Sequence, residues 1–149
     1  MTYSREDKTV ATDSQQTYKR TVGDANVHLA VGRLLTKLGF KSKLMGTRFL
    51  EDAILYRYEN AGVVYAGITK STYIAVAEAH RSTSTRVERA IRNAIVNCYT
   101  HGSLMAFNEM TKSNVIHDKY PPSNGEFVCS VVNWLRLEQQ SGHIFDKQM

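Results

Sequence analysis

Long apolar runs are missing from this 149-residue chain. That excludes a membrane-spanning helix, which needs about 20 consecutive apolar residues, and the start lacks the apolar core of a secretory signal. Cysteine is scarce. Cys98 and Cys129 are the only two, and without a secretion signal the expectation is reduced thiols in a cytoplasm rather than a disulfide. A glycine-rich phosphate loop and a nucleophile elbow are both absent. Cys98-Tyr-Thr-His101 has metal-like spacing, but no second pair accompanies it, and Cys98 is more simply a small core residue. Glu51 and Asp52 are adjacent, and neighbours on a helix point in different directions. They read as a solvated patch rather than an acid/base pair. No catalytic residue, cofactor or metal is nominated, so an enzyme is not expected.

What the chain does have is an uneven positive charge. The net +5 is a modest excess, and its placement matters more than its size. Residues 1–24 carry four basic and four acidic groups, which cancel, while residues 25–68 carry six against three. Residues 69–92 hold five basic groups (Lys70, Arg81, Arg86, Arg89, Arg92) against Glu78 and Glu88, and the remainder is slightly acidic. An excess concentrated on one part of the chain is the electrostatic footprint that nucleic acid requires.

The length suits one domain with an adequate core. Residues 1–24 are polar and lack apolar periodicity, which reads as a flexible arm ahead of a helical domain over 25–149. Val27, Val31, Leu34, Leu35 and Leu38 recur at helical spacing and predict a helix from Asp24 to Leu38, stopped by Gly39. A second is expected from Thr47 to Tyr58, with Phe49, Leu50, Ala53, Ile54 and Tyr58 inward. Ala61 to Gly67 is apolar and could pass for a strand on propensity, although glycines stand at both sides. Thr69 or Ser71 can cap a helix running to His80, in which Ile74, Ala77 and Ala79 would let another helix approach. Ser103 to Met110 suggests a short helix. Asn114 to Pro122 reads as extended, because the Pro121-Pro122 pair blocks helix. A last helix from Ser123 to Gln140 would bury Phe127, Val131, Trp134, Leu135 and Leu137.

The most informative segment is residues 82–95. Thr85 and Glu88 have the spacing of a capping box. At about 100° per residue, Val87, Ile91, Ala94, Ile95 and Cys98 then share one apolar arc. The opposite arc holds Thr85, Arg89, Arg92, Asn93 and, at its edge, Arg86. Such residues meet phosphates and base edges in a major groove, although the same pattern also suits an ordinary solvated face. The preceding helix and the short turn Arg81-Ser82-Thr83-Ser84 favour the groove. Helix, tight turn and basic helix form the helix-turn-helix arrangement, here without the glycine often found in the turn.

Arg86-Val87-Glu88-Arg89-Ala90-Ile91-Arg92 resembles the recognition helix in the C-terminal effector domain of the sporulation master response regulator. The likeness runs over roughly residues 28–140. It takes in Gly46, Leu50, Ala53-Ile54 and Tyr58, then Ile68-Thr69-Lys70 and Tyr73. It continues through Pro122-Ser123-Asn124-Gly125-Glu126-Phe127 and Leu135-Arg136-Leu137-Glu138. The resemblance implies an all-α domain of about six helices with a helix-turn-helix, winged-helix-like in the response-regulator effector sense, that binds a TGTCGAA-like DNA box. It makes Ala61 to Gly67 a packed connection rather than a strand.

It also implies roles for individual residues. Arg89 matches the guanine-reading arginine, Glu88 a second base contact and Arg92 a further DNA-contacting arginine. Asn93 stands where the family usually has histidine; asparagine can bind adenine or a phosphate. Glu88 ranks below Arg89, because the capping box would also occupy it. Arg86, Thr85, Ser84, Ser82 and Lys70 complete the expected DNA-binding set.

The family pairs head-to-tail on tandem boxes through its C-terminal helix region, here Ser123 to Gln140, and touches the sigma factor of RNA polymerase, here Gly102 to Lys112. A receiver domain normally precedes the effector, and a 24-residue arm cannot encode one. The expectation is a cytoplasmic, nucleoid-associated regulator without its own phosphorylation switch. The alternative is an interaction protein that heterodimerises with the full-length regulator as antagonist or decoy.

Overall fold

The computed structural model describes residues 22–60 and 70–141, and forms six helices with no strand among them. They are α1 (Val22–Leu38), α2 (Met45–Glu59), α3 (Lys70–Ala79), α4 (Ser84–His101), α5 (Ala106–Thr111) and α6 (Asn124–Gln140). The all-α expectation holds. Most of the expected arm, the connection over 61–67 and a cap at Thr69 lie outside the described residues. Among the described residues no helix is long and apolar enough to cross a membrane.

Each boundary has a local cause. The apolar row of α1, Val27, Val31, Leu34, Leu35 and Leu38, is buried as its spacing requires. The helix ends at Gly39, whose φ of +97° suits a residue without a Cβ. There the Phe40 amide donates to the Leu35 carbonyl and the Gly39 amide to Thr36, both at 3.0 Å, a Schellman closure. At α6, the Ser123 hydroxyl accepts from the Glu126 amide while the Glu126 carboxylate accepts from the Ser123 amide. That reciprocal box satisfies two donors that a helix start leaves open.

The second helix is the hub. It packs against α1, α3, α4 and α6, and buries Phe49, Leu50, Ala53, Ile54 and Leu55. Gly46, in its first turn, lies so close to α4 that a Cβ there would overlap the Ala90 carbonyl and crowd the Ala94 methyl at 3.1 Å. The chain approaches this closely because Gly46 has no side chain.

Several inward positions differ from expectation. On α3 the buried residues are Thr72, Val76 and Ala77, while Ile74 is 47% exposed. The helix turns Ile74 away from the α2 and α4 side that Val76 and Ala77 cover. On α6, Leu137 is 63% exposed, whereas Phe127, Val128, Val131, Val132 and Leu135 form the buried stripe. The Glu51-Asp52 pair is not a solvated patch. Both carboxylates are half-buried, Asp52 at 2.5 Å from His80 Nε2 and Glu51 at 3.5 Å from His28 Nε2. The short helix begins at Ala106 rather than Ser103.

Gly46→Ala should cost about 1–3 kcal/mol, because an overpacked contact forces backbone shifts. Chemical denaturation measures it, and a loss below about 0.5 kcal/mol would mean that α2 and α4 separate more easily than this contact implies.

Candidate nucleic-acid interface

The expected groove-facing residues depend on how α4 is held. Its buried set is Val87, Ile91, Ala94, Ile95 and Cys98, the apolar arc read from the sequence. Fully burying Val87, Ile91 and Ile95 contributes on the order of 5 kcal/mol or more relative to exposure. That anchors one side of α4 on α2 and α3, the helices it packs against most, and leaves the other side outward.

Thr85, Arg86, Glu88, Arg89, Arg92 and Asn93 are all exposed. Among the described residues no carboxylate pairs with Arg86, Arg89 or Arg92. Three guanidinium groups on one helix, none neutralised within that set, make a face with strong attraction for polyanions. Lys70 is exposed at the first position of α3, the helix immediately before α4. Ser84 is exposed at the start of α4, and Ser82 is half-buried in the turn.

The expected capping box at Thr85 and Glu88 is not present. Thr83 is the N-cap, with extended backbone (φ −115°, ψ 154°) and its hydroxyl accepting from the Arg86 amide at 3.2 Å. Residues 82–85 are all hydroxyl-bearing, so spacing alone left the start of the helix open by two residues. Only Thr83 combines extended backbone with reach to the third helical amide. The shift also removes the assigned capping duty of Glu88, whose carboxylate now stands past the first turn and exposed.

The missing turn glycine is explained by Arg81, which takes the left-handed conformation at φ 54°. The Ser82 amide donates to the Ala77 carbonyl at 2.8 Å across it, closing α3 as Gly39 closes α1. A non-glycine residue there costs roughly 1–2 kcal/mol. A cation at a helix carboxyl end returns roughly 0.3–1 kcal/mol of that. Beside it, His80 braces the turn against α2, bonded to Asp52 and edge-on to Phe49 at a centroid distance of 5.0 Å.

A further contact was invisible to spacing. The buried Asn124 side chain donates to Tyr73 Oη and to the Glu88 carbonyl, each at 3.1 Å. The Pro122-Ser123-Asn124 run marks the start of a helix in the sequence, but nothing local says that its amide crosses to α3 and α4. Burial pushes the Tyr73 hydroxyl pKa up; the Asn124 bond opposes this, the Glu88 charge adds to it and Arg92 opposes it.

Residues 31–135 match the family described as Sporulation initiation factor Spo0A C terminal.

Thr83→Ala should cost about 0.5–2 kcal/mol of stability, while Thr85→Ala should cost a few tenths at most. Thermal or urea unfolding of the two variants measures this, and the reverse order would return the cap to Thr85.

Proposed function

The chain belongs to the sporulation initiation factor Spo0A C-terminal family, whose domains bind DNA in sporulation control, and from that premise we propose a sequence-specific transcription regulator that reads DNA with α4. The observation that carries this reading is the exposed arginine face opposite the buried stripe of one helix, a face that no carboxylate pairs among the described residues. In this reading α3 crosses the backbone and α4 enters the major groove. Arg89 donates two hydrogen bonds to a guanine O6/N7 edge, and Arg92 and Glu88 contact the bases or backbone beside it. Asn93 either donates to a phosphate or pairs with adenine N6/N7. Arg86, Thr85, Ser84, Ser82 and Lys70 supply phosphate contacts that set register without reading sequence.

The domain is taken to span 25–149, acting in the cytoplasm at the nucleoid on double-stranded DNA. Pairing of two copies on tandem boxes is supported by a groove of about 210 Å³ between α5 and α6. Phe107, Val115, Trp134 and Leu137 line it, and Val115 and Leu137 are themselves exposed. A sigma-factor contact at 102–112 remains part of the same reading.

Fluorescence anisotropy with a TGTCGAA-containing duplex and a scrambled duplex tests the proposal over a salt series. Preference for the box of about 10³-fold or more at physiological salt is expected. Equal binding to both duplexes, with a steep salt slope, would reduce the interaction to phosphate attraction.

Single substitutions divide the roles. Arg89→Ala should cost roughly 1–3 kcal/mol on the box and little on scrambled DNA. Lys70→Ala or Arg86→Ala should weaken both duplexes alike and lower the salt slope by about one. Equal losses from Arg89→Ala on both duplexes would remove its assignment as a base reader.

A further inference from the structure

One buried amide joins the recognition unit to the last helix. Asn124 is the first residue of α6, and its Nδ2 is 3.1 Å from both Tyr73 Oη on α3 and the Glu88 carbonyl on α4. Both helices of the helix-turn-helix are therefore held by a single side chain from outside it. The place of that side chain is set by the Ser123–Glu126 box, which fixes where α6 begins. Neither acceptor can move far without breaking a part-buried hydrogen bond and leaving the buried Asn124 amide unsatisfied, which is costly. The anchored carbonyl belongs to Glu88, and its neighbour Arg89 is exposed on the proposed reading face. Arg92, one turn further along, is exposed on the same side of the helix.

We propose that Asn124 is a positioning residue for base recognition, setting the tilt and depth of α4 through the Glu88 carbonyl while Tyr73 keeps α3 in step. The inference rests on the DNA-reading role given above to α4. Bidentate pairing with a base edge tolerates errors of only about 0.5 Å and 10–20°. Phosphate attraction is far less demanding, since a flexible guanidinium follows a displaced phosphate. Loosening the anchor therefore separates two quantities: affinity for the box falls, and affinity for arbitrary DNA does not. A residue that only supports folding would lower both together.

The test uses the full chain carrying Asn124→Ser or Asn124→Gln, titrated with box and scrambled duplexes over the same salt series. Thermal melts correct each value for the folded fraction. Serine suits a first turn but cannot reach both acceptors, whereas glutamine keeps the donors on a longer stem. Asn124→Ser should lose about tenfold on the box with scrambled affinity and salt slope unchanged, and Asn124→Gln should recover part of that loss. Parallel losses on both duplexes, or an unchanged box affinity in a folded Asn124→Ser protein, would overturn the inference alone. A native chain that does not prefer the box would overturn the DNA reading and this inference with it. Tyr73→Phe supplies a second line, because it removes one acceptor and leaves the Glu88 bond. It should lose less on the box than Asn124→Ser, and an equal or larger loss would move the positioning role from the Glu88 carbonyl to Tyr73.

Discussion

The separation of α2 and α4 at Gly46 governs the rest of the molecule. With no Cβ in the way, the first turn of α2 rests against the backbone of α4 at Ala90 and beside Ala94. That contact brings Val87, Ile91 and Ile95 fully into the core and fixes the rotation of α4 about its own axis. Rotation is what decides which side chains face outward. The outward residues lie on the same 3.6-residue period as the inward ones, so a turn of one residue would bury an arginine and expose a valine. Burial energy on one face thus orients the charge on the other.

The helix-turn-helix is held from several sides as well as from beneath. His80 bonds Asp52 and packs against Phe49, so the turn is braced on α2. Arg81 takes a left-handed backbone there, at a cost that the dipole of α3 partly offsets. Thr83 then starts α4 with its own hydroxyl. Across the bundle, Asn124 reaches from α6 to both helices of the unit. The turn is short because each of its residues has an assigned conformation or partner. Its order derives from these contacts rather than from a glycine.

Much of this was legible in the sequence, for an identifiable reason. The five buried residues of α4 and five of the six buried in α1 repeat at helical spacing, and spacing reports facing directly. The outward arginines follow from the same geometry. What failed was of two kinds. Where neighbouring residues share a chemistry, as Ser82 to Thr85 do, periodicity cannot choose the cap, and the choice fell to backbone conformation at Thr83. Where a contact joins distant segments, local pattern is silent, as for Asp52 with His80 and Asn124 with the Glu88 carbonyl. Ile74 and Leu137 failed for a related reason. Apolar character suggested burial, yet neither side of its helix meets another among the described residues closely enough to cover it.

Cys98 lies on the buried side of α4 and donates its thiol to the Leu38 carbonyl at the end of α1, at 3.1 Å. Burial pushes its pKa up to about 11, against a smaller opposing pull from the Ser103 amide. At neutral pH the thiol therefore stays protonated, whereas the thiolate is the form that reacts with oxidants and alkylating reagents. Chemistry at this sulfur needs an opening of the packing that buries it. The helix that faces outward with its arginines thus carries on its inner side a thiol shielded by the same core that orients them. Labelling at Cys98 reads out how often the packing on the inner side of α4 opens.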